Sequence, residues 1–84
     1  MNFNKNNKAI SETITNKKHA IFITKYCEGV TLLYRRYAVI ELSPCIYKTY
    51  KENNGYWERC DDLVSFLMWN GEFQGYDDIT PLIK

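Results

Sequence analysis

Tyr34-Arg35-Arg36-Tyr37 sets two guanidinium groups between two phenol rings, at the centre of VTLLYRRYAVIEL, residues 30–42, the most apolar stretch of the chain. Alternating planar cations and aromatic faces stack bases and hold phosphates. The same residue types anchor protein interfaces, where Tyr, Trp and Arg are favoured. Lys17, Lys18 and Lys25 extend the cationic set toward a nucleic-acid surface. Tyr56 and Trp57 beside a turn, with Trp69 at the end of a helix, extend the aromatic set toward a protein partner. Glu58, Asp61, Asp62, Glu72, Asp77 and Asp78 form an opposing acidic set, by default a solvated face. As a patch, such carboxylates can imitate phosphates in a partner's groove.

Catalytic chemistry finds less support. His19 is the one residue titrating near neutral pH, and no spacing brings it to the arginines, so it is read as part of a solvated turn. Cys27, Cys45 and Cys60 lack a C-x-x-C pair. They are expected to be reduced, buried thiols rather than zinc ligands. The acidic pairs Asp61-Asp62 and Asp77-Asp78 are explained by a helix cap and a polar loop without invoking a metal. With no Gly-rich phosphate loop and no G-x-S-x-G, no enzyme, cofactor or metal site is predicted.

The elements that must hold these residues follow from periodicity. In residues 30–42 the even positions Val30, Leu32, Tyr34, Arg36, Ala38, Ile40 and Leu42 form a nearly apolar row, expected to face inward. The odd positions Thr31, Leu33, Arg35, Tyr37, Val39 and Glu41 are mixed and expected outside. A strand of this length reaches roughly 43 Å, against about 30 Å for a compact domain of this size. A bend or bulge at Arg35-Arg36, exposing both side chains, is therefore predicted. Were Arg36 to stay inward, it would require a carboxylate such as Glu12, Glu58, Asp61 or Asp62.

HAIFITKY, residues 19–26, pairs with this strand through a loop at Cys27-Glu28-Gly29. Pro44 separates the next strand, SPCIYKTYKE. Asn54-Gly55 is a hairpin turn leading into YWERC. Asp61 or Asp62 caps a helix through LVSFLMW, which Asn70-Gly71 ends with Gly71 as left-handed cap. Residues 9–15 fit helix or strand, and 72–84 read as loop plus a short strand or docked turn. The fold class is α+β: a small antiparallel β-meander of three to five strands with one helix, about 61–70, packed on one face. Residues 1–8 are a flexible N-terminal arm and 9–84 a single domain.

Composition bounds the rest. Eighty-four residues with 45% hydrophobic and 15% aromatic content fold as one domain with a thin core. The net charge of +1 hides a gradient: residues 1–42 carry seven Lys/Arg against three Glu, and residues 43–84 four against seven Asp/Glu. Neither a basic stretch nor an acidic one dominates, so charge-driven binding must be local. No leader or membrane-length apolar run is visible, which predicts a soluble cytoplasmic protein without a membrane partner. Asn, Lys, Ile and Tyr, whose codons are A/T-rich, make up 31 of 84 residues. The function expected is a small protein-binding inhibitor that occludes or regulates a macromolecular partner, of the phage or mobile-element anti-defence or anti-transcription kind. Nucleic-acid binding through Lys17, Lys18, Lys25, Tyr34, Arg35, Arg36 and Tyr37 is the alternative. An exposed edge strand allows a homodimer.

Overall fold

A computed structural model describes residues 3–60 and 64–84, so the capping expected of Asp61 or Asp62 lies outside the described residues. Five antiparallel strands form one sheet in the order β4-β3-β2-β1-β5. They are β1 (His19–Glu28), β2 (Thr31–Ser43), β3 (Ile46–Asn53), β4 (Tyr56–Cys60) and β5 (Glu72–Asp77). The first four are a meander, as its turn residues require. Gly29 opens the two-residue β1–β2 loop at φ 63°. Asn54 and Gly55 sit at φ 52° and 83°, the doubly left-handed geometry of a type I′ turn.

Helix α3 (Val64–Asn70) leaves β4, crosses one face of the sheet and delivers β5 beside β1. Leu67 and Met68 are its buried stripe. Gly71 ends it without a positive φ, so the left-handed cap expected there is corrected. Its lack of a side chain serves close approach instead: a Cβ would stand 2.7 Å from the Leu67 carbonyl oxygen and 3.0 Å from the Phe22 ring.

Two further helices join α3 on that face, α1 (Phe3–Ser11) and α2 (Thr13–Asn16). Residues 3–8, expected as a flexible arm, are thus the first turns of α1, and the ambiguous 9–15 are helical. The sequence FNKNNKAIS has poor intrinsic helix propensity; tertiary contacts supply what propensity does not. Ala9 and Ile10 pack into the core. The buried Asn6 side-chain amide donates to the carbonyls of Leu67, Met68 and Gly71 at 3.1, 3.1 and 2.7 Å. Leu67 and Met68 stand in the last turn of α3 and Gly71 just past it, where carbonyls run short of intrahelical partners, although Leu67 O also accepts the Gly71 N–H at 2.8 Å. One helix therefore caps another. Tyr76 of β5 adds a tie, its single hydroxyl proton shared between Ala9 O at 2.9 Å and Glu12 Oε2 at 3.0 Å. Burial and the Glu12 contact push that phenol up to about 12, so it stays a donor.

The second face of the sheet is covered too. Past β5 the chain makes a 3-10 turn (Thr80–Leu82) and crosses back to the β4 edge. There Ile83 bridges Trp57 in parallel, and Lys84 N–H donates to Trp57 O at 2.9 Å. This strap buries Ile79 against Ile21, Ala38, Tyr50 and Trp57. On the helical face the core is Ala20, Phe22, Tyr37 and Val39 under Ile10, Leu67 and Met68.

A core on both faces corrects the assignment of one inward row in β2. The odd positions Tyr37 and Val39 lie under the helices, and the even Ala38 under the strap. The predicted bend is corrected as well. β2 runs unbroken through Arg35-Arg36, and its pairing irregularity falls between Glu41 and Ser43. Length is accommodated by shape: the molecule measures 40 × 31 × 21 Å, and the twelve rises within β2, about 40 Å end to end, match its long axis. Among the described residues no helix is long and apolar enough to cross a membrane.

Candidate interaction ribbon

Strand lengths create the feature most open to a partner. β1 and β2 pair from Ala20–Val39 out to Glu28–Thr31. Their outer neighbours are shorter: β5 pairs with β1 only as far as Ile23, and β3 pairs with β2 only from Tyr37 onward. Residues 24–36 are consequently a two-stranded ribbon beyond the body of the sheet. A two-stranded ribbon is marginal in water by itself, and this one carries large apolar residues on both faces. Val30 is fully exposed at the tip, with Leu32 51% and Tyr34 56% exposed behind it.

Alternation assigns the ribbon's side chains. Lys25, Cys27, Leu32, Tyr34 and Arg36 share the face of the strap, where Lys25 lies opposite Tyr34 and Cys27 opposite Leu32. Tyr26, Leu33 and Arg35 share the helical face. The two arginines behave differently. Arg35 is exposed with its guanidinium 5.0 Å from the Tyr26 ring centre. Its pKa is pushed above the ordinary guanidinium value by hydrogen bonding to Tyr37 and by Tyr26, which leaves a permanent cation. Arg36 lies 5.5 Å over the Trp57 ring, and its Nη1 donates to Glu52 Oε2 at 2.7 Å. Glu52 is thus the carboxylate partner, in place of the four proposed from sequence. Arg36 keeps 42% of its side chain exposed, so the pair contributes at most about 1 kcal/mol.

Other expected site residues are dispersed. Tyr37 and Trp57 are buried core residues, so neither can be a surface anchor. Tyr56 and Trp69 are half-exposed, the former with Lys84 Nζ 5.9 Å from its ring centre. Lys17 (φ 59°) and Lys18 are exposed at the opposite end of β1 from the ribbon. Six residue-to-residue rises separate Lys18 from Thr24, about 20 Å, so the cations proposed as one patch form two clusters. The acidic set is divided as well. Glu58 stands on β4 and Asp77-Asp78 at the end of β5, on opposite sheet edges four strand spacings apart, about 19 Å. Asp61 and Asp62 lie outside the described residues.

His19 is corrected from a solvated turn to a buried ring, edge-on to Tyr50 at 5.5 Å between centres. Burial lowers its pKa, and Asp78 and Asp77 pull it partly back. The thiols are free as expected, yet Cys27 and Cys45 are exposed and Cys60 is half-buried. No group of three or more potential metal ligands occurs among the described residues. Two grooves flank α3. One, of about 850 Å³, is lined by residues including Tyr47, Cys60 and Met68. The other, about 370 Å³, lies where β1 leaves β5 and includes Ile23, Thr24, Phe66 and Asn70.

Val30, Leu32, Leu33 and Tyr26 were missed as site residues because each reads as core in a strand of ordinary cover. A usable signal was present in the mismatch between the long first hairpin and the short third strand before Asn54-Gly55. No family model, curated protein or solved structure matches the chain.

Proposed function

We propose that this chain is a non-catalytic binding module that engages a protein partner through the ribbon, residues 24–36. One observation carries the proposal: beyond its covered base at Thr24 and Arg36, the ribbon leaves Tyr26, Val30, Leu32 and Tyr34 exposed on a two-stranded element. Burying such residues against a partner contributes about 25 cal/mol per Å² of apolar area. Aromatic and arginine side chains at its base, Tyr34 and Arg35, are the residue types that concentrate interface energy. Occlusion of the partner's own binding surface is the mode such a projection suits. The specific form proposed is a cytoplasmic inhibitor from a phage or mobile element, directed at a defence or transcription protein, by association with the chain's small size and A/T-codon composition rather than by a physical argument.

The test is affinity capture from a native host lysate with the intact chain, a Leu32→Ser/Tyr34→Ser variant and a Lys17→Ala/Lys18→Ala variant. One co-purifying protein lost with the ribbon variant and kept with the lysine variant is expected. Capture indifferent to every ribbon substitution rejects the ribbon.

Direct nucleic-acid binding is the second reading, favoured by Lys25, Arg35, Tyr26 and Tyr34 on a ribbon narrow enough for a major groove. It predicts binding of labelled duplex DNA or RNA at low salt, with a log–log salt slope near the number of neutralised phosphates. Absence of binding at low salt ends it.

A further inference from the structure

Each sheet edge has a different fate. The β4 edge is closed at Trp57 by the strap, through Ile83 and Lys84 N–H. The β5 edge is broken by an irregular register opposite Ile21 and Phe22 and by Gly75 at φ 122°, the bulge-type protection that natural edges use. The ribbon's β2 edge is narrowed at its base by the Arg36–Glu52 ion pair, which holds the end of β3 alongside. Among the described residues no strap, bulge or ion pair closes the β1 edge from Thr24 to Glu28, whose charged residues are Lys25 and Glu28. Its pairing with β2 is regular throughout, it contains no proline, and β5 stops short of it at Glu72 opposite Ile23. Every second residue of such an edge directs its N–H and C=O outward.

We propose that Thr24–Glu28 accepts an extended segment of the partner protein as an added strand, in line with β5. Only another extended backbone matches a row of amide groups at strand spacing. The groove of about 370 Å³ beside this edge, lined by Ile23, Thr24, Phe66 and Asn70 among others, receives side chains from the segment's helical-face side. Phe66, 46% exposed, is its apolar wall, and Tyr26 follows Thr24 along the same face of β1 beyond it. On the other side the exposed Lys25 faces the segment. The occupant is therefore a strand alternating apolar residues toward Phe66 and Tyr26 with an acidic residue toward Lys25.

This inference rests on the ribbon being the contact element, and its probe is chosen to fail separately. An end-blocked, fluorescein-labelled octapeptide alternating valine with aspartate is titrated against the intact chain by anisotropy. Saturable binding is expected in the range of roughly 0.1–1 mM, as suits a contact well below the standard interface size, with slowed amide exchange at residues 24–28. N-methylation of alternate peptide nitrogens should weaken binding at least tenfold. Phe66→Ala should weaken it about fivefold, and Lys25→Glu should shift preference to the valine–lysine counterpart. Equal binding of the N-methylated peptide, or no binding at several millimolar, overturns strand addition. So does a dimer in sedimentation that the peptide dissociates, since the edge would then belong to a second copy. Peptide failure with ribbon-dependent capture intact sinks the edge alone, whereas capture indifferent to the ribbon sinks the function proposed above.

Discussion

Asn6 shows how much one polar side chain decides in a domain this small. Its amide meets three carbonyls at the end of α3, and no local sequence rule could have placed it there, because its partners lie 61 to 65 residues away. Asn6→Ala removes the buried donor from the Met68 and Gly71 carbonyls, while Leu67 O keeps the Gly71 N–H, and is expected to destabilise the fold by about 2 kcal/mol. Asn6→Asp, of the same shape but without the N–H donors, should destabilise it more. Urea denaturation of the two variants ranks them, and an aspartate variant as stable as the alanine one would contradict the capping role. His19 gives a pH signature. Because burial lowers its folded pKa below the ordinary 6.5, the unfolded chain takes up the proton first as pH falls. Stability is then complete above about pH 6.5 and declines below it. Denaturation midpoints across pH 7.5 to 5 should show that slope in the native chain and lose it in His19→Gln.

At the scale of elements, the sheet's strands were legible and its overhang was not. Alternation and turn residues defined β1 to β4, since each signal is local: Gly29 and Asn54-Gly55 adopt the left-handed angles their turns need. That both faces of β2 would be buried was not legible, as the odd row is mixed overall with its apolar Tyr37 and Val39 only at the centre, and covering layers come from distant segments. The same limit hid Tyr37 and Trp57 in the core while Leu32 and Tyr34 stayed outside. The ribbon carries its own prediction. Leu32→Ser and Tyr34→Ser should each change stability by less than about 0.5 kcal/mol, as exposed positions do. Amides of residues 24–36 should exchange faster than those of the β2 segment Tyr37–Val39, because few buried contacts hold them. Destabilisation of several kcal/mol by either substitution would mean that the ribbon is covered within the monomer.

For the whole molecule, the strap makes a three-layer domain out of what would be an open sheet with helices on one side. Ile79 is almost wholly buried against Trp57, Tyr50 and Ala38. Ile79→Ala should therefore cost about 2–4 kcal/mol, the transfer and cavity terms together. It should also raise the acrylamide quenching of Trp57, measured in a Trp69→Phe background. Unaltered stability and quenching would show that the strap does not seal that face.

What the sequence determined unaided was the antiparallel meander, its turns and the helix that follows it, since hydrophobic period and left-handed turn residues act over a few positions. Tertiary structure alone decided that polar residues 3–11 become helix, that both faces of β2 are buried at its centre, and that its outer half projects uncovered. Each depends on segments 28 to 65 positions apart in sequence, such as Thr13 with Glu41 and Asn6 with Gly71. Local propensity carries no information about contacts at that separation, and the partner surface proposed for this chain is their product.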